Sequence, residues 1–203
     1  MTPEARRAAT EELLREHGVR INSHLPMIED GAQITLRTEE EVWGRLLALW
    51  GVVGAAMPPP IAFFKEYFSP LPRRTLLSAD EATFLFDDSP SEEDLIRFSW
   101  RVEALMFLAW CAGLVDDPGL PGQASDAEPL VPYFPHDHGD AIKLREAISL
   151  RPKETILDKA DLLYRLHWAV RDAQLNGREP PPGVDPGVVL EWHHAVNWMT
   201  RYG

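Results

Sequence analysis

The sequence predicts an all-α fold, a globular multi-helix domain with about seven to eight helices and long irregular loops, spanning residues 1–203 as a single domain. Three observations predict it. Apolar residues recur three and four apart through the longer segments. Ser, Thr and Asp followed by acids or proline mark repeated helix starts. No pair of segments alternates apolar and polar residues as neighbouring strands would.

Pro3 to His17 reads as a charged amphipathic helix, with Gly18 placed to end it. Val19 to Arg37 is irregular, with turns at Leu25-Pro26 and Asp30-Gly31 and a brief extended stretch at Ile34–Leu36. Thr38 and Glu41 form a capping box for a helix running to Met57. Pro58-Pro59-Pro60 turns the chain into a shorter helix from Pro60 to Phe68. A second capping box, Ser78 with Glu81, opens a short helix ending near Asp88. Ser89, with Pro90 at the first helical position, starts a long core helix to Val115. Residues 116–138 are rich in Pro, Gly and acid and predict a long, mobile loop. A short helix follows over Asp140–Ser149. Pro152 then opens a helix to Asn176, with Gly177 at its end. After a proline-rich link, Asp185 caps a last helix with Pro186 at its first position.

The chain carries 20 Lys and Arg against 32 Asp and Glu, a formal net charge of −12. That balance excludes nucleic acid and anionic membrane as general partners, since both require clustered cations. It admits a basic protein partner and also favours plain solubility. Cys111 is the single cysteine, so no internal disulfide forms, and its apolar surroundings predict an inert buried thiol. Met1 to Gly18 has no apolar signal core, which predicts a cytosolic location. Leu46 to Phe64 is uncharged, but its three prolines leave neither half long enough for a membrane span.

Glu103 is the only charge between Val102 and Val115. Its helical neighbours Ser99, Trp100, Met106 and Phe107 cannot pair with it. A buried bare carboxylate is costly, so another segment should supply an Arg, a His or a polar pocket. Arg45 is similarly isolated, and Glu41 or Glu103 are its candidate partners, the local one being the plainer choice.

On a helical wheel, Ile156, Ala160, Leu162, Leu163, Leu166, His167, Val170 and Ala173 share the core half of the long helix. The polar half holds Asp161 and Arg165, four apart and able to pair, together with Tyr164 and Trp168. A plain solvated face has little use for a Tyr and a Trp, so that half should be covered by another helix, a partner or a ligand. His167, at the edge of the apolar half, reads first as a core histidine. In the last helix Val188, Val189, Trp192, Ala195, Val196 and Met199 form the core face. Trp198 lies opposite, near Glu191 and His194, with Asn197 further round. The two aromatics on polar arcs predict a shared Trp-lined cleft, in which carboxylate, His and Arg could do acid–base work or clamp an anion. The plainer alternative is a satisfied helix–helix contact.

His136-Asp-His-Gly-Asp140 matches the start of the His-x-His-x-Asp-His pattern of metallo-β-lactamase-like hydrolases, but Ala141 stands where the last His belongs and no strands present it. No metal is expected there. His193 and His194 are adjacent and point apart, so they share no metal from one face. No phosphate loop, dinucleotide fingerprint, nucleophile elbow or Cys–His pair is present, and no cofactor is expected.

These residues resemble a bacterial family of domains of unknown function, number 4272. The resemblance rests on Gly18-Val-Arg-Ile-Asn22 with Leu25-Pro26, Glu40-Glu-Val-x-x-Arg45, Trp100-Arg-Val-Glu-Ala-Leu105, and above all Asp161–Arg171 and Val188–Trp198. It runs through most of the chain and implies no activity, substrate or cofactor. The family continues past the Asn-Trp pair into an acidic Trp-Asp tail, whereas this sequence stops at Gly203. If that tail helps to close the polar cleft, the cleft here is open.

Two functions follow as expectations. The first is a protein-binding module, in one version immunity- or antitoxin-like, whose acidic surface blocks a basic protein. The second is an enzyme or small-ligand binder using a cleft of Trp100, Glu103, Asp161, Tyr164, Arg165, Trp168, Glu191, His194, Asn197 and Trp198. A structural homodimer is a third.

Overall fold

A computed structural model describes residues 1–57 and 61–202. Among them all regular structure is helical, with no strand. The α-helices are α1 (Pro3–Glu16), α2 (Glu39–Ala56), α3 (Ile61–Phe68), α4 (Leu71–Arg74), α5 (Ala79–Phe86), α6 (Glu92–Ser99), α7 (Arg101–Cys111), α8 (Ile142–Ala147), α9 (Lys153–Leu175) and α10 (Pro186–Thr200). A 3-10 helix spans Glu128–Tyr133. The expected proline turn at 58–60, with the start of its following helix at Pro60, lies outside the described residues.

The helix starts follow local chemistry. Thr38 and Ser78 make reciprocal capping boxes with Glu41 and Glu81. Asp185 accepts the Gly187 and Val188 N–H groups at the head of α10. Gly18 adopts φ +68° beyond α1, and the Val19 N–H returns to the Leu14 carbonyl at 2.8 Å.

Three expectations are corrected. The long helix of 90–115 is two helices. It starts at Ser91, whose hydroxyl accepts the Asp94 N–H at 3.1 Å, so Pro90 precedes the cap. It is interrupted at Trp100, where ψ of −18° tightens the turn and the Glu103 N–H bonds back three residues to the Trp100 carbonyl at 3.1 Å. Among the described residues the count of ten α-helices exceeds seven to eight because this split and the single-turn α4 add to it. The segment 116–138 contains the 3-10 helix, which buries Leu130 beside Phe134.

The chain divides into two compact units, each with its own core. The first comprises Met1–Arg37, Asp117–Ala124 and Arg151–Gly203; the second comprises Thr38–Asp116 and Ser125–Leu150. In the first, α9 packs on α10 and on α1. Leu14, Val19, Leu162, Leu166, Val170, Val184 and Val189 form its apolar cluster. In the second, α2 is the central helix, against which α3, α5, α6 and α7 pack. Gly51 lets the Phe68 ring lie on α2, since a Cβ there would sit 2.2 Å from a ring carbon. Trp50 stacks on Phe134 with ring centroids 5.3 Å apart. Cys111 is buried. No helix among the described residues is long and apolar enough to cross a membrane.

Candidate functional site

The strongest candidate is a pocket in the first unit, where residues 26–34 lie over α9 and α10. Helical spacing puts Tyr164 one turn before His167 on α9 and His193 one turn before Asn197 on α10. Tyr164, His193 and Asn197 line the pocket together with Thr200 and Tyr202. Met27, Ile28, Ile34, Leu157 and Ala160 supply its apolar wall. The volume is about 170 Å³. Residues 26–34 are held in place by Lys153, whose ammonium donates to the Gly31 and Ile34 carbonyls, both at 2.9 Å.

His193 is the pocket's distinctive group. Its ring lies 4.4 Å, centroid to centroid, from that of His167. Burial, with lesser contributions from His167 and His194, lowers its pKa to about 4. The imidazole is therefore neutral near pH 7. Its Nδ1 is buried and has no hydrogen-bond partner. Burial, and then the adjacent His194 and Arg171, also lower the pKa of His167. Tyr164 is shifted upward, first by burial and next by Tyr202, so its hydroxyl stays protonated.

The ten residues singled out from the sequence divide between the two units. Trp100 and Glu103 belong to the second unit, the other eight to the first. Trp100 is 39% exposed at the α6–α7 junction. Glu103 is fully buried, and its carboxylate accepts the Ser125 N–H and hydroxyl, both at 2.7 Å. Another segment thus supplies the polar group that this carboxylate requires.

Asp161 and Arg165 form a buried two-point ion pair at 2.9 and 3.0 Å. The polar half of α9 is indeed covered, and the cover is α1. Glu11 of that helix lies 3.6 Å from the Arg165 Nη1, while Arg6 reaches Glu154 and Asp158. Trp168 packs on the apolar cluster of the first unit. Trp198 lies under the Arg37 guanidinium, 4.9 Å from the ring centre. Neither tryptophan lines this pocket. The wheel measured polarity around each helix, but both rings meet groups from other segments. Glu191 is buried and His194 exposed. Of the ten, Tyr164 and Asn197 reach the pocket.

His193 was missed as a site residue because adjacency to His194 invited only a metal test, which it failed. Its spacing of four from Asn197 was the available signal. Arg45 is also corrected. It pairs with Glu81 of α5 at 2.7 Å, and with neither Glu41 nor Glu103, because the buried capping carboxylate is closer in space than in sequence. Among the described residues no three His, Cys, Asp or Glu side chains converge as a metal site would require.

No curated protein and no solved structure matches this chain. The sequence does match, over residues 6–203, the family described as Domain of unknown function (DUF4272), and the chain belongs to that family.

Proposed function

We propose that the protein binds a small, uncharged molecule about the size of one ring in the pocket of α9 and α10. The supporting observation is the neutral, half-buried His193 imidazole, which lines the pocket with Tyr164 and Asn197 and has its buried Nδ1 unpaired. Buried polar atoms ordinarily have partners, so an unpaired one on a residue that lines a pocket invites a ligand donor. The volume of about 170 Å³ is close to cavities of ~150 Å³ that take up benzene. Its wall is largely apolar with a few polar groups, the usual composition of a ligand site.

Phenol is a suitable probe, its hydroxyl donating to Nδ1 in the tautomer that carries the proton on Nε2. Titrated against the full chain, phenol should shift the His193 ring resonances saturably, and toluene should bind more weakly. Ala160→Phe, which fills the pocket, should abolish the effect. Binding should weaken as pH falls through about 4, because protonation removes the acceptor. No saturable shift, or binding untouched by Ala160→Phe, refutes the reading.

A second reading is a cytosolic protein-binding module for a basic partner, with an immunity- or antitoxin-like role as one form. The net charge of −12 supports it, as does one face of α6. There Glu92, Ile96 and Trp100 follow at spacings of four, and all three are exposed.

A further inference from the structure

The second unit holds a larger cavity, about 490 Å³, beside Trp43, Tyr67, Arg73 and Arg145. Tyr67 is fully buried in an aromatic cluster, its ring meeting those of Trp50 and Phe68 edge-on at 5.2 and 5.1 Å. Its hydroxyl nevertheless has no hydrogen-bond partner. Burial raises its pKa foremost; Arg73 opposes that rise, while Asp140 and Asp137 add to it. The group is therefore a protonated donor close to Arg73 and Asp140, both of which line the cavity. A buried donor without an acceptor is an exception among folded proteins and calls for one.

The cations beside it are held in place. The Arg73 guanidinium sits 4.2 Å over the Tyr67 ring and donates to the Tyr67 and His138 carbonyls at 3.3 and 2.9 Å. Its ion pair with Asp140, at 3.1 Å, uses a carboxylate whose side chain is 80% exposed. Arg145 lies 4.8 Å over the Trp43 ring and pairs with Glu40, both partners more than half exposed. Such exposed pairs are weak and exchangeable.

The charges of the lining also select the ligand. Arg73 and Arg145 are balanced by Glu40 and Asp140, so a dianion would meet repulsion that a monoanion largely escapes. Trp43, Leu47 and Leu76 give the rest of the wall an apolar character.

We propose that this cavity binds a small apolar monocarboxylate, with the Tyr67 hydroxyl donating to one carboxylate oxygen and the Arg73 guanidinium pairing with the other. Charge-assisted bonds of this kind are stronger than neutral ones, and a guanidinium suits a carboxylate in geometry as well as charge. The site lies wholly within residues 40–145 and does not depend on the α9–α10 pocket.

Benzoate, benzamide and phenyl phosphate, titrated separately into the isotope-labelled full chain, test it through the Trp43 indole N–H resonance. Trp43→Phe identifies that signal. Benzoate should shift it saturably, and benzamide and phenyl phosphate should each bind about tenfold more weakly, the scale of one lost charge-assisted contact. Tyr67→Phe should weaken benzoate by a similar factor without lowering the melting temperature, because the deleted hydroxyl has no partner in the free protein. Arg145→Gln, an exposed position, gives a second variant that should also weaken benzoate should Tyr67→Phe fail to fold. Equal binding of acid and amide, preference for phenyl phosphate, unchanged affinity in the folded variants, or no saturable shift with any probe each overturns the proposal.

Discussion

Asp161 and Arg165 show how the value of a charged residue depends on what covers it. Four apart on a solvated helix, such a pair stabilises by a few tenths of a kcal/mol. Here the two are 1% and 2% exposed, and one guanidinium nitrogen, Nη1, already lacks a hydrogen-bond partner. Asp161→Asn would leave the buried cation with only Glu11, 3.6 Å away, as counter-charge, at a cost of about 3 kcal/mol, the low end for a broken buried pair. Replacing both residues with Asp161→Leu and Arg165→Met should cost much less, since no charge is then stranded. Urea denaturation of the single and double variants checks this; a loss below about 1 kcal/mol in Asp161→Asn would contradict the buried-pair account. The sequence showed that these residues could pair, and the wheel singled out Tyr164 and Asn197. It could not show that α1 seals the pair, nor that residues 26–34 close over His193. Both facts come from segments distant in sequence, and a helical wheel contains only neighbours.

Helix boundaries were legible where capping side chains act within four residues. The two capping boxes and the Asp185 cap stand where the sequence placed them. The break at Trp100 was not legible, because no Gly or Pro marks it and the apolar run continues through it. Helix α2 makes a sharper test of packing. Gly51 stands where a Cβ would press on Phe68, a ring with no exposure and therefore little room to retreat. Alanine gains up to about 1 kcal/mol of helix propensity over glycine. Overpacking of a core costs about 1–3 kcal/mol. Gly51→Ala should therefore be net destabilising, and adding Phe68→Leu should recover part of the loss. The denaturation midpoints of the two variants decide it; a single variant more stable than the parent would show that the ring moves freely.

For the whole molecule, charge is the property that composition states most directly. Many acids are engaged within the chain, as Glu154 and Asp158 are with Arg6 and Asp172 is with Arg178. Each such pair takes one cation with one anion, so the excess of 12 acids remains for a basic partner, and on α6 the exposed Glu92 and Glu93 share the helix with exposed Ile96 and Trp100. A partner captured by the full chain at low salt should be released as ionic strength rises, since exposed charge contacts are screened within about 10 Å at 0.1 M. Trp100→Ser should weaken capture at every salt concentration. Recovery of no salt-sensitive protein, or the same recovery with Trp100→Ser, counts against this surface.

The sequence by itself determined the helical class, most helix ends, the apolar faces of α9 and α10, and the family. Each depends on spacing along one segment, where hydrogen bonds and side-chain neighbours reach only three or four residues. Tertiary structure decided which polar residues are spent on packing and which face a cavity. It joined Arg45 to Glu81, Glu103 to Ser125 and Arg165 to Glu11, and left the His193 Nδ1 and the Tyr67 hydroxyl without partners. Burial and pairing across long chain separations set those outcomes, and no local pattern encodes them.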